Sequence, residues 1–324
     1  MKKGITKILS ACVFAFVVFL AAGTQSKAAV NMGVKQTGAG SSYVDLAWDA
    51  QLGAGHYHTQ FSQDGKNWID MDNSSSPSES VYNLTQGASY YARVVAYKGS
   101  HYTGTHVMIG VSETAIVSTK PTEVSGLTQT AAGVNSVSMS WNASAGAASY
   151  VIYGYINYNW TQIGTSATNS ATITGVAATT STRFSVAAVK NVTGGTVTGD
   201  QCSGVEMKAI PIKVSRIAMQ YYWDSLKEAK YIWTDVNNAD GYQYEVKSAN
   251  GKKTYFRATS TNSYTYVKPF PRGIFVKARV RAYVTVGNKV YYGAWSPYTY
   301  HASSKKVTAK RSSNGKKIYL KWKK

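Results

Sequence analysis

Acidic side chains are scarce, with 15 Asp and Glu against 35 Lys and Arg in 324 residues. A glycosidase needs two carboxylates placed across one bond. Asp70 lies near Asp72 and Asp235 near Asp240, but both pairs fall in stretches that read as turns. The signatures G-x-S-x-G, H-E-x-x-H, the P-loop and G-x-G-x-x-G are all missing. No catalytic, cofactor-binding or metal-ligating set is therefore expected, and no enzyme. Cysteine is nearly absent too. Cys12 lies in the N-terminal apolar run and Cys202 stands alone, so the mature chain has no intrachain disulfide and Cys202 reads as a small buried side chain. After residue 22 no apolar stretch reaches the roughly 18 residues that a spanning helix requires.

The first residues state a compartment. Lys2, Lys3 and Lys7 precede the apolar run Ile8 to Ala22, and Ser26-Lys27-Ala28 supplies small residues for cleavage. Residues 1–28 read as a secretory signal peptide, leaving no transmembrane segment once it is removed. The Leu-Ser-Ala-Cys ending at Cys12 is not a lipoprotein box, because the apolar run continues beyond it.

A repeat governs the rest of the chain. Trp48 stands nine residues before Tyr57, Trp141 nine before Tyr150 and Trp233 nine before Tyr242, so the tryptophans are separated by 93 and 92 residues. Trp322 follows after another 89. A fixed period states the architecture before any residue is interpreted. Each tryptophan ends an alternating run: Val44, Leu46, Trp48; Val137, Met139, Trp141; Ala229, Tyr231, Trp233. Period-2 alternation marks a strand with one buried face. Val94 and Ala96, Val186 and Ala188, and Val280 and Ala282 repeat in step, the alanines 47 to 49 residues after their tryptophans. Short strands, turn residues between them and modules of about 90 residues indicate all-β antiparallel sandwiches.

These residues, with A-R-V-V-A-Y, A-R-V-R-A-Y and N-L-T-Q-G-A-S-Y, resemble tandem fibronectin type III domains of the secreted and cell-surface Gram-positive type. The resemblance implies immunoglobulin-like sandwiches over 29–119, 120–211 and 212–304. The remaining segment, 305–324, reads as a basic tail or the start of a fourth repeat. It implies a tyrosine corner at Tyr90, with Thr182 and Val276 in the matching positions of modules two and three. Trp48, Trp141, Trp233, Tyr57, Tyr150 and Tyr242 become core residues. Strands C and F are neighbours in that fold, so His56, His58, His101 and His106 could share a surface, read here as solvent-facing and without metal.

Charge carries the functional expectation. Residues 29–119 hold four basic and seven acidic side chains, 120–211 four and three, and 212–324 twenty-three and five. Clustered cations attract anionic polymers. The expected contacts are Lys305, Lys306, Lys310, Arg311, Lys316, Lys317, Lys321, Lys323 and Lys324. The expected partner is a cell-wall polyanion or an extracellular glycan or protein, not intracellular nucleic acid. A second reading is a glycan-binding accessory module working through Tyr221, Tyr222 and Trp223, and a third is a pure spacer. Neither an R-G-D nor a C-terminal sorting signal is present. Oligomeric state is left open.

Overall fold

The computed structural model describes residues 29–99, 106–271, 273–302 and 307–322. The signal-peptide segment 1–28, His101, Lys305, Lys306, Lys323 and Lys324 lie outside the described residues. Among the described residues every regular element is a strand, and no helix is long and apolar enough to cross a membrane.

The first module comprises β1 (Lys35–Ala39), β2 (Val44–Ala47), β3 (His56–Ser62), β4 (Ile69–Ser74), β5 (Ser78–Val81), β6 (Ser89–Lys98), β7 (Val107–Val111) and β8 (Ala115–Ser118). The second has β9 (Thr128–Gly133), β10 (Ser136–Ser140), β11 (Ser149–Ile156), β12 (Asn159–Ser166), β13 (Ser170–Thr174), β14 (Thr182–Val192), β15 (Gly195–Thr198) and β16 (Val205–Met207). The third has β17 (Ile217–Trp223), β18 (Glu228–Trp233), β19 (Gly241–Ser248), β20 (Thr254–Ser260), β21 (Tyr264–Val267), β22 (Phe275–Val286), β23 (Lys289–Tyr292) and β24 (Thr299–Ala302). A hairpin of β25 (Val307–Arg311) and β26 (Ile318–Trp322) follows.

Each module pairs a three-stranded sheet, ordered β1-β2-β5 in the first, with a five-stranded one, ordered β4-β3-β6-β7 with β8 also on β6. All pairings in these sheets are antiparallel, and the order repeats in the other two modules. Each of the three modules is a two-sheet antiparallel sandwich with a fibronectin type III-like strand order. Asp70 and Asp72, expected in a loop, lie in β4, where Asp70 pairs with Gln60 of β3. The turn chemistry of that stretch yields to ladder pairing once β3 is alongside.

One local device fixes the nine-residue spacing. The indole and phenol rings of Trp48–Tyr57, Trp141–Tyr150 and Trp233–Tyr242 meet at 5.4, 5.3 and 5.5 Å between centroids. Each tyrosine hydroxyl then accepts the backbone N–H three residues after its tryptophan: Gln51 at 3.0 Å, Ser144 at 3.0 Å and Val236 at 2.8 Å. The carbonyls of the same three residues accept N–H bonds from Ala54, Ala147 and Ala239, closing a turn. Inside that turn Gly53, Gly146 and Asn238 adopt φ of 83°, 67° and 69°, the left-handed region open to Gly and tolerated by Asn. All six rings are buried. The pair thus ties one sheet to the other and closes the turn between them. Tyr90 makes a further bond of this kind, its hydroxyl accepting the Thr85 N–H at 3.0 Å. Thr182 and Val276 hold the matching strand positions in the other modules.

The lone cysteine belongs to a second repeated device. The last strand of each module breaks in two, and the side chain at the break plugs the ladder. Ser112 Oγ accepts the Val94 N–H at 2.9 Å, Ser296 Oγ accepts the Val280 N–H at 3.0 Å, and Cys202 Sγ accepts the Val186 N–H at 3.2 Å. Ser112, Cys202 and Ser296 each return a backbone N–H to the carbonyl of the same valine.

The modules meet through the hairpin between the sixth and seventh strands of the following unit. The Thr193 N–H donates to the Ile116 carbonyl at 2.7 Å, and the Gln36 N–H donates to the Thr193 carbonyl at 3.2 Å. Buried Lys190 reaches the Gly87 carbonyl. At the next junction Val284 and Val286 pack on Ala132, beside an ion pair of Lys208 with Asp240 at 2.7 Å.

Two outcomes test these devices. Tyr150→Phe, which keeps the ring and strands the Ser144 N–H, is expected to cost about 1 kcal/mol in urea unfolding. Cys202→Ser is expected to leave the melting temperature nearly unchanged, whereas Cys202→Ala loses about 1–2 kcal/mol because the Val186 N–H is orphaned.

Candidate functional site

Two outward faces of the third module carry its charge, and they use it differently. On the five-stranded sheet, β22 turns Lys277, Arg279 and Arg281 outward between buried Val276, Ala278, Val280 and Ala282. The adjacent chain supplies Tyr292, Trp295 and Tyr298. Lys277 lies over Tyr298 at 4.6 Å, Arg279 over Tyr298 at 4.9 Å and Trp295 at 4.3 Å, and Arg281 over Trp295 at 4.4 Å and Tyr292 at 3.8 Å. The result is an interleaved stack of cations and rings. Beneath it Glu245 of β19 is buried, bonded to Arg257 and Arg279 at 2.6 Å each and to Lys247 at 3.0 Å. Burial alone would raise the Glu245 carboxyl. The bonds from Arg257, Lys247 and Arg279, with the charge of Arg279, outweigh it and hold the group at about 2. Five cations of the basic third are thereby paired with the buried carboxylate or held against rings. The first module has a smaller version, Arg93 over Trp68 at 4.1 Å.

The three-stranded sheet shows a different face. Its inward residues Ala229, Tyr231 and Val267 are buried, so Lys230, Tyr264 and Tyr266 face outward. Tyr221 of β17 pairs across Lys230, and Lys230 across Tyr266, in one cross-strand row. Trp223 stacks on Tyr221 at 4.6 Å. Lys230 Nζ stands 5.9, 5.0 and 5.6 Å from the rings of Tyr221, Tyr264 and Tyr266. Trp223, Tyr264 and Tyr266 are 50, 40 and 48% exposed. Burial, then the hydrogen bond to Tyr266 and the nearby Tyr266 and Glu228 charges, push the Tyr221 phenol up to about 12, so it stays neutral.

The predicted triplet Tyr221-Tyr222-Trp223 is thus split by strand geometry. It lies in β17, where neighbouring residues point to opposite faces, and Tyr222 turns inward against Phe270 at 5.5 Å. The sequence reading missed Lys230, Tyr264 and Tyr266, which come from two other strands. An alternation of Tyr264 and Tyr266 around Thr265 was the available signal.

Of the predicted basic contacts, Lys310, Arg311, Lys316 and Lys317 are exposed on the β25–β26 hairpin, and Lys321 lies in β26. His106 is exposed as expected, whereas His56 is not. His56 is buried rather than solvent-facing, with Nδ1 3.0 Å from the Gly99 carbonyl and its ring stacked on Tyr97 at 5.2 Å. His106, just before β7, meets it edge-on at 5.4 Å between ring centroids. Among the described residues no group of three His, Cys, Asp or Glu is placed to hold a metal.

The Glu245 carboxylate gives a pH dependence. A group held at about 2, below the usual glutamate value of about 4.3, stabilises the fold above that usual value and loses the contribution as pH falls toward 2. Urea midpoints of the full chain between about pH 6 and about pH 2 should fall for this reason. Glu245→Gln should flatten its share of that fall and cost about 3 kcal/mol at neutral pH, because three cations lose their common anion.

No family model matches the chain, and no curated protein does. Among solved structures the chain is similar to the crystal structure of chicken CNTN1 FN1-FN3 domains, at 15% identity and a TM-score of 0.34, over 84% of this chain and 97% of that one. The strand order within each module, rather than that alignment, makes the three units fibronectin type III-like sandwiches.

Proposed function

We propose that this chain is a non-catalytic binding and spacing protein acting outside the cell, whose third module and basic hairpin contact an anionic polymer of the cell wall. One observation carries the reading: formal charge is −3 over 29–119, +1 over 120–211 and +18 over 212–324. Solubility alone would be served by spreading the cations. Concentrating them at one end gives a chain with a nearly neutral portion and a strongly attracting one. Exposed Lys310, Arg311, Lys316 and Lys317 have no ion-pair partner among the described residues, so their charge is available to a ligand. Hydrogen-bonded junctions support the spacing role, since successive units are fixed to one another rather than strung on free linkers. The basic and apolar first residues support an extracellular location, where teichoic acids and peptidoglycan carboxylates are the abundant polyanions.

Co-sedimentation with purified cell walls tests this. The full chain should pellet at about 50 mM salt and be released at about 500 mM, because screening shortens the reach of the cations. Walls stripped of teichoic acid should retain less. Lys310, Arg311, Lys316 and Lys317 changed together to Gln should shift release to lower salt. Retention that ignores both salt and stripping would sink the proposal.

A further inference from the structure

From the outward face of the β17-β18-β21 sheet we infer that the third module carries a binding site for an acidic polysaccharide, with Tyr221, Trp223, Tyr264 and Tyr266 stacking on sugar rings and Lys230 receiving a carboxylate. This rests on the reading of the chain as a polyanion-binding protein and names the polymer's chemistry.

The chain's own repeats are the control. In the first module the three cross-strand positions equivalent to Tyr221, Lys230 and Tyr266 are Gly38, Asp45 and Ser80. In the second they are Ala131, Ser138 and Thr172. One row on, Tyr264 corresponds to Ser78 and Ser170. The same sheet in the same sandwich thus folds with small residues and no aromatic ring at every one of these places. Packing therefore does not require the three tyrosine rings there. Large rings left 40 to 50% exposed on a solvent face cost solubility and return no core burial.

The chemistry then selects the ligand. The apolar faces of sugar rings match aromatic faces, and the tyrosine hydroxyls offer donors and acceptors for sugar hydroxyls. Lys230 supplies a point charge in the centre of the set and makes no ion pair with a carboxylate among the described residues. The neighbouring cation, Lys268, faces Glu228 at 4.0 Å. One available charge amid several rings fits a polymer with a carboxylate on a sugar, and fits poorly a phosphate chain, which needs a track of cations. Two strand spacings make the platform about 10 Å wide, broad enough for a ring to lie flat.

The test uses the full chain and three soluble polymers. Polygalacturonate has rings and carboxylates, dextran has rings without charge, and polyphosphate has charge without rings. Polygalacturonate should bind more tightly than dextran. Tyr221→Ala, Tyr264→Ser and Tyr266→Thr combined install the second module's residues on a backbone that already tolerates them. That variant should weaken polygalacturonate binding at least about tenfold and leave polyphosphate binding unchanged. Lys230→Ser should weaken it similarly. Polygalacturonate should also change the tryptophan fluorescence of the native chain, and Trp223→Phe should remove that change.

Undiminished polygalacturonate binding by both the triple variant and Lys230→Ser would overturn the platform and leave the charge reading standing. Loss of binding to polyphosphate and polygalacturonate alike in the native chain would overturn both. Tighter binding of single-stranded poly(dT), or a native dimer that the triple variant dissociates, would overturn the polysaccharide in favour of that occupant.

Discussion

Everything in this chain hangs on an edge-on contact between an indole and a phenol, made three times with the same local chemistry. The rings fill the space between two sheets, and the tyrosine hydroxyl then reaches past the tryptophan strand to hold the first peptide of the turn. Hydrophobic burial and one satisfied backbone donor are thus delivered by the same side chain. Because the hydroxyl must meet an N–H three residues past the indole, the turn has a fixed length and a left-handed residue at a fixed place. The three cores can differ elsewhere, with Met139 where another has Leu46, as long as this contact is kept.

A scaffold secured in that way leaves its outer faces open to change, and the third module has changed both. On its larger sheet, Lys277, Arg279 and Arg281 are laid against tyrosine and tryptophan rings, and Arg257, Arg279 and Lys247 surround a buried glutamate. That arrangement turns positive charge into structure, since the Arg279 and Arg281 guanidiniums lie over rings and Arg257, Arg279 and Lys247 share one carboxylate. On its smaller sheet the arrangement is inverted. A single lysine stands among rings and makes no ion pair with a carboxylate among the described residues, so charge and aromatic surface both face outward. Net charge alone does not distinguish these two uses. The three ion pairs to Glu245 on one sheet, and the lack among the described residues of any ion pair to Lys230 on the other, do.

The junctions and the broken last strands follow the same economy of repeated parts. Ser112, Cys202 and Ser296 do one task with two chemistries, and the thiol is explained by the N–H it faces. At both junctions the hairpin of the following module meets the first strand of the preceding one, once by a backbone hydrogen bond from Gln36, with a second to Ile116 of β8, and once by Val284 and Val286 on Ala132.

The sequence by itself determined the module count, the alternating faces of the strands and the location of the excess charge. These depend on spacing along the chain: nine residues from indole to phenol, about 92 from one indole to the next, two from one outward side chain to the following one. It did not determine which outward residues share a surface. Tyr221 and Tyr222 are adjacent in the chain yet face opposite sides of a sheet, while Tyr221, Lys230 and Tyr266 span 45 residues and stand in one row. The same holds for Cys202 with Val186 and for Glu245 with Arg257 and Arg279. Those neighbours are set by strand register and by a bulge between Met219 and Tyr221, and register becomes definite only when three strands lie side by side.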